Sequence, residues 1–129
     1  MKLLLDTQVV LWWLAGSRRL GAAARERIAS SYCVLSVASV WEVAIKYAIG
    51  KLPVSPQAFR DELVIAGVDI LPITDAHAVA TAALPAGHRD PFDRLLVAVA
   101  RLERVRLLTA DASLLRYVEG LDGVVAEAP

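Results

Sequence analysis

Short apolar runs alternate with helix signals from one end of this chain to the other, and that alternation restricts the folds open to it. Residues 2–5, 33–35, 68–73 and 105–109 are apolar stretches of strand length. Between them the 3.6-residue spacing of apolar positions, with Ser, Thr, Asp or Pro at the starts and Gly at several ends, predicts helices over 8–14, 20–30, 36–47, 56–66 and 76–84. Two more are predicted from residue 91 onward and over 112–117, and 123–126 is a candidate edge strand. Strands that alternate with helices in this way predict an α/β domain. Its three α/β/α layers would enclose a mostly parallel central sheet of four to five strands. With 129 residues and no internal repeat, linker or low-complexity segment, the chain reads as a single domain over 1–129.

The stretch 87–100, GHRDPFDRLLVAVA, is the most informative part. Asp90-Pro91 is a helix-start pair, because Asp is a preferred N-cap and Pro fits the first helical position. Phe92, Leu95, Leu96 and Val99 then fall on one helical face, and residues 95–100 are apolar nearly all round. A buried helix with Asp90 and Asp93 at its mouth can hold a core and present acids at the same time.

Composition removes several classes. Hydrophobic residues make up 57% of the chain, which argues against disorder. Fourteen basic residues balance fourteen acidic ones, so global charge points to no polyanion, and any such partner must be met by a local patch or through a metal. The lone Cys33, inside a strand-like run, reads as a small buried hydrophobe in a reducing compartment. The first apolar run is too short for a signal peptide, and no stretch reaches the length of a membrane span. A soluble, cytoplasmic protein with no membrane partner is expected.

Ligands of an open α/β sheet bind beyond the carboxyl ends of its strands. Asp6 follows the first strand, Glu42 lies early in the helix after the second, Asp75 follows the third and Asp111 the fourth, while Asp90 and Asp93 open the helix before the fourth. Six acids are thus candidates for one rim. Carboxylates gathered together call for a cation between them, and a hard ion such as Mg²⁺ or Mn²⁺ takes such oxygen ligands. A plainer reading stands beside this one: Ser39-Val40-Trp41-Glu42 has the form of a capping box, Asp90 to Asp93 resembles one, and the other acids sit where caps sit. Spacing alone leaves both readings open. Trp12, Trp13 and Trp41 read as core or interface residues, His77 as a helix-surface residue, and Arg101, Arg104 and Arg106 as a solvated face. His88-Arg89 can meet a phosphate. No nucleophile elbow and no Gly-rich phosphate loop is present.

The blocks LLLDTQVVLWWL, SVWEVAIK, LPAGHRDPFDRLLVAVA and LLTAD, in this order, resemble the PIN-domain ribonucleases, and among them the VapC-type toxins of bacterial toxin–antitoxin pairs. The resemblance covers nearly the whole chain. It implies a PIN-like fold and a metal-dependent endoribonuclease acting on RNA. Asp6, Glu42, Asp93 and Asp111 would hold one or two Mg²⁺ or Mn²⁺ ions, with Thr7, Thr109 and Asp90 in support. It also implies a homodimer and a cognate antitoxin that covers the site; Asp75 has no counterpart in the family's acid set. Lys46, Arg89 and Arg94 are candidate contacts to the RNA backbone. Two other functions stand as alternatives. A Mg²⁺-dependent phosphatase or receiver-like domain would want a second acid two places after Asp6, where Gln8 stands, or a lysine after a late strand, where Thr109-Ala110-Asp111 offers none. A non-catalytic partner-binding domain would use its Trp and Leu faces alone.

Overall fold

A computed structural model describes residues 2–129. The strands are β1 (Lys2–Leu5), β2 (Tyr32–Ser36), β3 (Asp69–Leu71), β4 (Arg106–Leu108) and β5 (Ala126–Glu127). The helices are α1 (Thr7–Leu14), α2 (Ala22–Ala29), α3 (Val37–Ala48), α4 (Pro56–Ile65), α5 (Asp75–Ala80), α6 (Pro91–Glu103) and α7 (Ala112–Glu119). A 3₁₀ turn at Thr81–Ala83 follows α5. The five strands form one sheet in the order β3-β2-β1-β4-β5, and every pairing is parallel. The expected mostly parallel sheet of four to five strands is therefore a fully parallel sheet of five.

Strand period explains the layers. Successive side chains point to opposite faces, so Leu3 and Leu5 join one core while Leu4 joins the other. The first core packs β1 and β2 against α1, α2, α3 and α4 through Val9, Ile28, Val43, Phe59 and Leu63. The second packs Leu4, Val34 and Leu107 against α6 and α7 through Leu96, Val99, Leu114 and Val118. Residues 96–100 of α6 are all buried, as the apolar run from 95 to 100 predicts.

The edges are shorter than their apolar runs. β3 keeps three residues of the expected 68–73, and β5 lies at 126–127 rather than 123–126. Pro72, which has no N–H to give the ladder, directly follows Leu71 and ends β3. The helix expected over 76–84 ends at Ala80 and tightens into the 3₁₀ turn. His77, expected on a helix surface, is buried. Its Nδ1 accepts the Thr74 N–H at 3.0 Å while the Thr74 hydroxyl accepts the His77 N–H, a reciprocal cap of α5.

In strand order, the chain runs outward from β1 to one side through β2 and β3 and to the other through β4 and β5. The order reverses between β1 and β4. Beyond the carboxyl ends of these two strands lies the crevice in which such sheets bind ligands. Asp6 directly follows β1, and Asp111 comes three residues after the end of β4.

Candidate metal centre

A depression of about 270 Å³ opens at that point, and Asp6, Glu42, Asp93 and Asp111 all line it, with Asp90, Thr7 and Lys46. The acids differ in whether they cap a helix. Asp6 stands at the N-cap position of α1 but makes no side-chain cap bond. It is buried, and its Oδ2 accepts the Thr109 hydroxyl at 2.7 Å. Glu42 lies in the second turn of α3, whose cap is Ser36, so the box suggested by Ser39 and Glu42 does not form. Asp111 lines the hollow and caps α7 as well, its Oδ1 accepting from the Ser113 and Leu114 amides and the Ser113 hydroxyl. Asp90 is the cap of α6, its Oδ1 accepting from the amides of Phe92 and Asp93.

Two hydroxyls organise the carboxylates. Thr109 Oγ1 donates to Asp6 and accepts the Asp111 N–H at 3.1 Å, so one side chain locates two acids. Thr7 Oγ1 lies 2.8 Å from both Glu42 Oε1 and Ser39 Oγ. A carboxylate can only accept, so the Thr7 proton goes to Glu42 and Ser39 donates to Thr7. The second Glu42 oxygen pairs with Lys46 Nζ, one turn along α3, at 2.7 Å. Asp93 faces His88, with Nε2 and Oδ2 2.7 Å apart.

The charge balance of the site favours a cation. Burial pushes the Asp6 carboxyl up; the Thr109 bond opposes this, and the negative charges of Glu42 and Asp111 add to it. Burial likewise drives Asp93 up to about 6, against the His88 bond and with the help of Asp90 and Asp6. Asp111 moves the other way because the Ser113 hydroxyl and the helix amides hold its charge. Acids that repel one another in a partly dry hollow, with hard oxygen donors converging from β1, α3, α6 and the end of β4, suit Mg²⁺ or Mn²⁺. The donor set fits such an ion.

The remaining candidates lie elsewhere. Asp75 is exposed at the start of α5, beyond the edge strand β3, and does not line the depression. Arg89 is exposed in the loop beside it, where a second hollow is lined by Gly87, His88, Arg89 and Arg94. The Arg94 guanidinium donates to the carbonyls of Pro85, His88, Thr81 and Leu84, a structural task that the sequence did not signal. The sequence suggests only a phosphate contact for His88, yet its ring nitrogen and the carboxylates of Asp93 and Asp111 lie within 4.8 Å of one another. Trp12 also lines the depression, under the Arg19 guanidinium.

The family model described as PIN domain matches residues 3–120. The chain belongs to the PIN-domain family. No curated protein matches this PIN domain by sequence. Several solved structures share its fold. VapBC2 from Rickettsia felis, bound to a DNA fragment from their promoter, superposes with a TM-score of 0.71 at 14% identity, covering 99% of this chain and 98% of that one. DNA-bound VapBC from Salmonella typhimurium gives 0.70 at 20% identity, with the same coverage. A toxin–antitoxin complex from Klebsiella pneumoniae gives 0.63 at 21% identity, covering 95% and 94%. Among the described residues of this PIN domain, no helix is long and apolar enough to cross a membrane.

Proposed function

We propose that this PIN domain is a VapC-type toxin: a Mg²⁺- or Mn²⁺-dependent endoribonuclease of the cytoplasm, acting on RNA and restrained by a cognate antitoxin. The observation that carries the reading is the convergence of Asp6, Glu42, Asp93 and Asp111 on one hollow at the switch point of a PIN-family sheet. The toxin–antitoxin complexes that share the fold support the partner, and the resemblance of the sequence blocks to VapC-type toxins implies a homodimer.

Asp6 and Asp93 would be the main ligands, with Glu42 and the uncapped oxygen of Asp111 completing the ring. A divalent ion held there supplies charge neutralisation at a phosphodiester and lowers the pKa of a water. The chain's own residues set the geometry. Thr109 fixes Asp6 relative to Asp111, Thr7 fixes Glu42, and Asp90 fixes the start of α6 and so the position of Asp93. Lys46, at the rim, and Arg89, in the exposed loop, offer positive charge to an approaching RNA backbone.

The test is cleavage of end-labelled RNA by the purified chain with Mg²⁺, with Mn²⁺ and with chelator. Cutting that needs the ion and is lost in Asp6→Asn supports the reading. Absence of any metal-dependent, Asp6-dependent cutting over a range of RNAs would sink it and favour a partner-binding role.

A further inference from the structure

The four acids provide the oxygen donors and leave His88 unassigned. The residue is nonetheless held from three directions. Nε2 lies 2.7 Å from Asp93 Oδ2, the ring tilts against Tyr117 with centroids 5.6 Å apart, and the His88 carbonyl accepts from Arg94 at 3.0 Å. Arg94 fixes more than this one carbonyl. Its two terminal nitrogens reach Pro85, Thr81 and Leu84 as well, and the Tyr117 hydroxyl also donates to Pro85. The planar guanidinium thus ties down the loop from the 3₁₀ turn to His88. Gly87 makes the last bend before His88 with φ +128°, a backbone conformation for which glycine is suited.

Arg94 and Asp93 are neighbours on α6. One anchors the loop that carries His88, and the other receives the bond that His88 makes. An ionised carboxylate accepts only, so the imidazole places its proton on Nε2 and has no lone pair there to offer an ion. We propose that His88 is a positioning residue: its Nε2–H orients the Asp93 carboxylate for the divalent ion. This rests on the metal-site reading above. Partners of this kind commonly fix the orientation of a metal ligand, and their loss lowers metal affinity.

Calorimetric titration of the purified full chain with Mn²⁺ alone tests it, using wild type, His88→Leu, His88→Ala and His88→Gln. His88→Leu keeps apolar bulk against Tyr117 without a donor, and His88→Ala stands in if that variant fails to fold. His88→Gln carries an amide N–H of similar reach. His88→Leu or His88→Ala is expected to weaken Mn²⁺ binding about 10- to 100-fold. His88→Gln is expected to restore it to within about threefold of wild type. Wild-type affinity in the donor-less variants overturns the proposal. So does a His88→Gln as weak as His88→Leu, since that outcome makes the imidazole nitrogen itself the ligand. Wild type that takes up no Mn²⁺ overturns the metal-site reading, and the role of His88 falls with it.

Discussion

Thr109 and Asp6 stand 103 positions apart in the sequence and share a buried 2.7 Å hydrogen bond. Beside it the Asp6 N–H donates to the Leu108 carbonyl at 3.0 Å, so the ends of β1 and β4 are joined by backbone and side chain alike. The same threonine oxygen accepts the Asp111 N–H. A single hydroxyl therefore sets two of the four acids in place.

Thr109→Val keeps the shape and removes both bonds. It leaves the buried Asp6 carboxyl without its donor, at a cost of about 1–3 kcal/mol in folding stability. Mn²⁺ affinity is expected to fall roughly tenfold or more, since the carboxylate loses the partner that orients it. Thr109→Ser retains the hydroxyl and should keep the affinity. Urea unfolding and Mn²⁺ titration of the three proteins check both expectations; equal behaviour of valine and wild type would show that the hydroxyl organises nothing.

Asp93 gives a pH signature. Its carboxyl sits at about 6 in the folded protein against an ordinary 3.8, so between those values the folded state holds the extra proton. Stability from this group is then present at low pH and is lost as pH rises from about 4 to about 6. Its full loss, above pH 6, is about 3 kcal/mol as an upper bound. In metal-free protein at neutral pH, Asp93→Asn should be more stable than wild type by about 1–2 kcal/mol, allowing for a weaker bond to His88. The gap should close towards pH 4, and excess Mn²⁺ should reverse it by stabilising wild type alone. Urea midpoints across this pH range, with and without Mn²⁺, measure it; a gap that widens in acid contradicts the burial argument.

The placement of these acids explains what the sequence made legible. Asp6 and Asp111 follow apolar runs that must be strands, and an acid after a parallel strand lies at the binding edge. Asp75 follows one too, but β3 is the outermost strand, and strand order is not written in local pattern. Local sequence presents capping and ligation as alternatives, whereas Asp111 caps with one oxygen and has a second. The sequence offers Arg94 and His88 only as phosphate contacts, because the partners they find are backbone carbonyls and an acid whose orientation depends on a loop. The burial of His77 is not legible either: a short helix of mostly small residues shows no apolar stripe to reveal its buried side.

The Arg94 fork makes a third expectation. Arg94→Lys keeps the charge but replaces a planar set of donors with a point charge, which cannot serve four carbonyls in different directions. A loss of about 2 kcal/mol is expected, within the range for breaking a hydrogen-bonded network. Thermal unfolding measures that loss. Hydrogen exchange should report faster opening of residues 81–88 while the amides of β1 and β4 remain protected. Uniform acceleration across the sheet would instead mean that Arg94 supports the whole fold.

Lys46 separates metal binding from RNA binding. Its ammonium pairs with Glu42 at 2.7 Å on the rim of the hollow, as a cation competing for that carboxylate. Lys46→Gln removes the competitor and leaves the site more negative. Mn²⁺ is expected to bind more tightly by up to about fivefold, the equivalent of the roughly 1 kcal/mol that a half-exposed ion pair contributes. RNA cleavage should move the opposite way, because the variant lacks a positive charge where a phosphate would approach. That deficit should shrink as ionic strength rises, since wild-type attraction is screened while the variant has less of it to lose. Paired Mn²⁺ titrations and kcat/KM values at low and raised salt resolve the two effects. If both affinities fall together, Lys46 holds Glu42 in place for the ion, and its charge does not act on the RNA.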